Sequence, residues 1–178
     1  SKGMESITNI LDQGIKRGKI SNEKKESILG RITATEDYSL LRGSNLVVEA
    51  VFEDTQVKEL ATKKAQEYLD EGTVFATNTS TLPIGKLAEA SISKAEFIGI
   101  HFFSPVHKMA LVEIIKGKDT GEKAVATALD FVKQIRKTPI VVNDARRRHF
   151  CKMRKNDALR AKKGEGRKDL LRKNIDFA

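Results

Sequence analysis

The chain has no tryptophan, one cysteine and three prolines in 178 residues. With Cys151 alone no internal disulfide can form, which fits a reducing compartment. None of its apolar runs approaches the roughly 20 residues that a membrane-spanning helix needs. No basic-then-apolar leader opens the sequence. These absences set the expectation of a cytoplasmic protein without a membrane span. No G-x-G-x-x-G occurs anywhere in the chain, so the turn that seats a pyrophosphate on a helix N-terminus is missing from it. No metal-ligand spacing is present, and no metal is expected.

Charge is abundant but unevenly placed. The net charge is +9. Residues 145–178 hold 13 of the 33 Lys and Arg and 4 of the 24 Asp and Glu, which accounts for all of it. Residues 1–144 carry 20 groups of each sign and are neutral. The basic character therefore belongs to the tail and says nothing of what the body binds. The tail's apolar residues are sparse, and the expectation there is a disordered segment or a poorly packed helix. It has no aromatic set for stacking on bases, so nonspecific stickiness is expected rather than specific nucleic-acid binding.

At 39% hydrophobic the chain can bury a core, and its length suits one domain. Met4, Ile7, Leu11 and Ile15 recur at helical spacing, with Gly18 as a stop. Ser21 is placed to N-cap a second short helix, without a capping box because Lys24 stands three residues on. Residues 31–33 read as a short strand. Residues 46–51 read as a strand covered on both faces. A helix over 54–69 follows, with Val57, Leu60, Ala61, Ala65 and Leu69 as its apolar stripe and Glu71-Gly72 as its end. Strands are expected at 73–77, 97–103, 111–115 and 139–142. A short helix opens at Pro83, and a longer one over 123–136 buries Ala126, Leu129, Val132 and Ile135. Strands alternating with such helices predict an α/β fold with parallel pairing.

The chemistry collects where the apolar runs end. Asn78-Thr79-Ser80 follows one strand, His101 closes another, and Glu113 lies inside a third. In an open α/β sheet such ends gather in one crevice, where ligands bind. A histidine at a strand end is most often structural. Glu113 shifts that balance, because a carboxylate in an apolar strand needs a partner, and His101 is the candidate. A carboxylate fixes one imidazole tautomer and favours the protonated form, which is the equipment of a general base. Asn78 and Ser80 are either turn residues or ligands to a substrate oxygen, and residues 79–81 are also placed to cap the helix at Pro83. Glu53 and Lys58 read as a solvated pair at the start of a helix. Lys16, Arg17 and Lys19 read as a solvated face, with contact to coenzyme A phosphates as the alternative.

Residues 1–144 resemble the cofactor-binding domain of the L-3-hydroxyacyl-CoA dehydrogenase family, most of all the dehydrogenase portion of multifunctional β-oxidation proteins. The likeness lies in residues 45–54, 75–82, 99–115 and 138–144. It includes Phe102-Phe103-Ser104-Pro105-Val106-His107-Lys108-Met109 and the spacings of 21 residues from Ser80 to His101 and 12 from His101 to Glu113. It implies an incomplete Rossmann-type, doubly wound parallel sheet over 1–144, followed by a basic tail over 145–178. It implies NAD as cofactor and the oxidation of L-3-hydroxyacyl-CoA to 3-ketoacyl-CoA in fatty-acid β-oxidation. His101 would be the base, Glu113 its orienter, and Ser80 a hydrogen-bond partner of the substrate oxygen. Ala50, Glu53, Lys58, Asn78 and Ser104 would lie along the cofactor. As partners it implies a homo-oligomer or a place in a larger multifunctional enzyme.

The departures lie at the two ends. The family's first strand, Gly-rich loop and second strand precede the part matched by residues 1–15. After the last strand the family has a Gly-Phe turn and a helical domain. Here Ala145-Arg146-Arg147-Arg148 stands instead, with Cys151 near a catalytic-site Asn of the family. The tail is read as a shifted-frame continuation, and the isolated chain as catalytically impaired. The reading from another class is a non-catalytic interaction module that uses an open sheet edge and the basic tail.

Overall fold

The computed structural model describes residues 2–144. The expectations for the basic tail and for Cys151 lie outside the described residues. The chain divides into two compact units, one over Ser1–Leu40 and one beginning at Leu41.

The first unit holds α1 (Lys2–Lys16) and α2 (Asn22–Leu29). The stripe Met4, Ile7, Leu11 and Ile15 is half-buried while most neighbouring positions are exposed, as amphipathic spacing requires. Gly18 adopts a positive φ of 66° just past the end of α1, where a side chain would be strained. The Ser21 hydroxyl accepts from the Lys24 amide at 3.2 Å and caps α2. An ion pair between Lys25 and Asp12 joins the two helices. Residues 31–33 form no strand. The backbone there leaves α2 through bonds from the Arg31 and Ile32 amides to Ile28 and Leu29, and in this unit no strand stands for it to pair with.

The second unit is a five-stranded sheet in the order β1-β2-β3-β4-β5. Its strands are β1 (Leu46–Glu49), β2 (Val74–Thr77), β3 (Phe97–Phe102), β4 (Leu111–Lys116) and β5 (Thr138–Asn143). Three pairings are parallel; β3 and β4 are antiparallel. The exception follows from chain length. Residues 103–110 are too few for the helical crossover that a parallel pair needs. The sheet is thus parallel-dominant and Rossmann-like, with β4 and β5 running opposite to β1–β3.

Alternation along the strands divides the core in two. Val74, Ala76, Ile98, Ile100, Val112 and Ile114 pack against Ala124, Ala128 and Val132 of α5 (Glu122–Gln134). The buried stripe of α5 is thus offset from the expected one. Val132 is common to both, Leu129 is half-buried, and Ala126 and Ile135 are exposed. On the opposite face Phe75 stacks on Phe97 with ring centroids 5.7 Å apart. There Ile84 of α4 (Ile84–Leu87) lies so close to Gly99 that a Cβ on that glycine would sit 2.7 Å from Ile84 Cδ1.

The helix α3 (Thr55–Gln66) is rotated from its expected setting. Lys58, Thr62, Ala65 and Gln66 are buried, whereas Val57 and Leu60 are exposed, Leu60 at 70%. Apolar periodicity misplaced this face because its inward row is largely polar, and each polar member has a partner. Thr62 Oγ1 donates to the Lys58 carbonyl at 2.8 Å, and Gln66 Nε2 donates to Ser91 Oγ at 2.6 Å. Asp54 caps α3 by accepting from the Gln56 and Val57 amides. The helix ends at Gln66, ahead of the Gly72 turn that feeds β2.

Candidate active site at the strand ends

His101 and Glu113 are register partners across the antiparallel β3–β4 pair. Directly opposed residues point to the same face, so this pairing alone brings the two side chains together. His101 Nδ1 lies 2.7 Å from Glu113 Oε2. Both are buried, at 8% and 3% exposure. A carboxylate only accepts when ionised, so Nδ1 carries the proton and the Nε2 lone pair is left for chemistry. Phe103 packs its ring 4.6 Å from the imidazole, which limits how the imidazole can swing.

Glu53, in the turn after β1, is a hub. Its Oε1 accepts from Thr79 Oγ1 at 2.7 Å, from the Ser80 and Thr81 amides at 2.7 and 3.0 Å, and from the Ser80 and Thr81 hydroxyls at 3.2 and 3.3 Å. Burial pushes this carboxyl up, but the Thr79 hydroxyl, the Thr81 and Ser80 amides and the Ser80 hydroxyl outweigh it. The group is held below the ordinary 4.5. Ser80 is therefore fixed by the β1 turn. Thr79 does cap, but it caps the Leu82 amide at 3.0 Å. The first amides of α4, at Ile84 and Gly85, are taken by the Asp144 carboxylate at 3.0 Å each. Residues 79–81 thus do not cap that helix; a residue 60 positions away does, and local sequence could not reveal it.

Lys58 is not solvated. Its side chain has 0% exposure and meets Glu49 Oε1 at 2.9 Å, with Glu53 at 3.8 Å. The solvated-pair reading therefore fails for Lys58. Spacing put it at the start of a helix, and the helix turns that row inward. Glu49 and Thr77 were not singled out in the sequence. The signal available was a carboxylate in the same β1 run as two valines, the pattern that pointed to Glu113.

The remaining cofactor candidates sit where the strands end. Ala50 is exposed immediately after β1, and Ser104 is exposed beyond β3. Asn78 is half-buried, and its Oδ1 accepts from the Phe102 amide at 3.2 Å. Lys16, Arg17 and Lys19 are exposed in the first unit. The fit to a dinucleotide is one-sided. Small and polar residues stand at the ends of β1, β2 and β3, exposed at Ala50 and Ser104 and half-buried at Asn78 and Ser80. No Gly-rich turn leading into a helix N-terminus stands among the described residues to hold the pyrophosphate. No helix of the described residues is long and apolar enough to cross a membrane.

The chain is similar to known proteins over most of its described length. The family model for the 3-hydroxyacyl-CoA dehydrogenase NAD-binding domain matches residues 1–145. A fatty acid oxidation complex subunit alpha from Shewanella halifaxensis is 42% identical over 144 residues, covering 81% of this chain and 20% of that protein. The crystal structure of (S)-3-hydroxybutyryl-CoA dehydrogenase from Ralstonia eutropha superposes with a TM-score of 0.78 at 37% identity, over 80% of this chain and 50% of that one. The 3-hydroxybutyryl-CoA dehydrogenase of Escherichia coli gives 0.76 at 28% identity, over 80% and 30%. The chain thus spans a fifth to a half of the length of these relatives. A β3–β4 pair carrying His101 on Glu113, polar strand ends beside it and a family match over four-fifths of the sequence lead to one assignment: this chain belongs to the NAD-binding domain family of the 3-hydroxyacyl-CoA dehydrogenases.

Proposed function

We propose that this chain carries the catalytic base and the nicotinamide side of an NAD-dependent L-3-hydroxyacyl-CoA dehydrogenase of cytoplasmic fatty-acid β-oxidation. The observation that carries the reading is the 2.7 Å contact between His101 Nδ1 and Glu113 Oε2 at the mouth of the sheet. His101 Nε2 takes the proton of the 3-hydroxyl group. Glu113 holds the ring in that tautomer and stabilises the imidazolium that forms. Ser80, held by Glu53, hydrogen-bonds the substrate oxygen. Ala50, Glu53, Asn78 and Ser104 line the cofactor, and Lys58 supports them from beneath. Bound NAD supplies the acceptor for the hydride that leaves C3, so the substrate loses a proton and a hydride and becomes the 3-ketoacyl thioester.

Without a Gly-rich loop the 178-residue chain has little turnover of its own. Residues 1–144 act as the domain and residues 145–178 as an appendage, and a larger multifunctional enzyme or a homo-oligomer supplies the rest. The test is a chimera that adds a strand, Gly-rich turn, helix and second strand ahead of residue 1 and a helical domain after residue 144. It should reduce acetoacetyl-CoA with NADH. A folded chimera that binds NADH and shows no turnover defeats the proposal.

One observation favours a second reading. Among the described residues β1 pairs on one side only, with β2, and Phe52 just beyond it is 79% exposed. An interaction module would use that edge. Salt-sensitive nucleic-acid binding without stabilisation by NAD would select this reading over the first.

A further inference from the structure

The mechanism leaves Glu49, the buried partner of Lys58, without a task. Lys58 Nζ donates to Glu49 Oε1 at 2.9 Å and Oε2 at 3.2 Å, to the Asn78 carbonyl at 2.9 Å and, more weakly, to the Val51 carbonyl at 3.4 Å. An ammonium has three protons, and acceptors inside the protein take them all. Glu49 in turn accepts from Thr77 Oγ1 at 2.6 Å and from the Val51 amide at 2.6 Å. Glu49 and Thr77 are register partners, and Thr77 is aligned with Gly99, two residues before His101. The pair therefore lies on the same sheet face as His101 and Glu113, one row below them.

Its contacts are more informative than its burial. A buried ion pair is weak evidence for stability, since neutral residues of equal volume often serve as well. This pair, however, binds the backbone of two turns, at Val51 after β1 and at Asn78 after β2. Asn78 then passes the constraint on, because its side-chain oxygen accepts the amide proton of Phe102, the residue after His101.

We infer that Glu49 and Lys58 are positioning residues: their ion pair fixes the Asn78 turn and, through the Asn78–Phe102 hydrogen bond, the end of β3 that carries His101. The importance of this for catalysis rests on the functional reading above, but the relay does not. Lys58 acts on the site through the carbonyl oxygens of Val51 and Asn78.

The test uses the 178-residue chain without cofactor or substrate. Each single neutralisation strands one buried charge and perturbs the fold indiscriminately. The double variant Glu49→Gln/Lys58→Met removes both charges and keeps the volumes. Amide hydrogen exchange and ¹⁵N spectra of the histidine ring are read together. The double variant is expected to melt within about 3 °C of the parent. Its Phe102 amide should exchange about tenfold faster, the His101 ring signals should move, and the Ile98 amide in mid-strand should keep its protection. Unchanged Phe102 exchange, or equal acceleration at Phe102 and Ile98, overturns the inference. Asn78→Ala cuts the relay without touching the pair and covers the case in which the double variant does not fold. It should reproduce the Phe102 and His101 changes, and unaltered signals there overturn the inference too. Loss of dehydrogenase activity in the chimera would sink the functional reading and leave this measurement intact.

Discussion

His101 stands as one partner in a buried pair with Glu113. In the chimera described above, His101→Gln is expected to lower turnover about 10²–10⁴-fold, the usual contribution of a general base. NADH affinity should stay nearly constant, because in the proposed mechanism the imidazole acts on the substrate. Steady-state assays with fluorescence titration of NADH check both; retained turnover would remove His101 from the role. Glu53 gives a prediction in pH. Its folded carboxyl lies below the ordinary 4.5, so the folded state binds fewer protons than the unfolded chain there. The linked stability is fully present above about pH 4.5 and is lost as pH falls through the folded value. Glu53→Gln should therefore lessen the fall of Tm with pH below about 4.5. A variant as acid-sensitive as the parent would show that the hub adds nothing. His101 and Glu113 were legible in the sequence because each is a polar residue in an apolar run, and a buried charge implies a partner. Lys58 was not, because it lies on a helix whose apolar residues, Val57 and Leu60, face outward.

Among the elements, strands were easier to read than helix faces. Continuous apolar runs located β1 to β5 within a residue or two. The β1 run was read two residues too long, since Val51 has left the ladder and its amide bonds the Glu49 side chain instead. The antiparallel turn of β4 could have been taken from the short 103–110 connection. The rotation of α3 could not, because Thr62 and Gln66 are satisfied by partners that local spacing does not show. Ile84 of α4 packs tightly over Gly99. A Cβ at Gly99 would also lie 2.9 Å from Ile115 Cβ, a strand side chain with little room to yield. Gly99→Ala is expected to destabilise the protein by about 1–3 kcal/mol, measured by urea unfolding. A change under about 0.5 kcal/mol would mean that α4 moves aside freely.

For the molecule as a whole, the Glu49–Lys58 pair gives the sharpest test of how polar groups are held in this core. Lys58→Met alone leaves Glu49 without its ammonium and should cost about 3–5 kcal/mol. The double neutral variant should recover most of that loss. A double variant as unstable as the single one would show that the pair itself stabilises the fold. Such pairing was invisible at the level of composition, where residues 1–144 look evenly charged. The net charge of +9 describes the tail, and the core is tuned by a few ions of opposite sign placed one row apart. The antiparallel step between β3 and β4 has a further consequence. It places His101 and Glu113 12 residues apart in a single hairpin-like segment. The closure entropy of so short a loop is small, so these two groups can find each other before any distant strand has docked. A recombination event that transplants residues 97–116 would move both together, and evolution can remodel everything around them without separating the two.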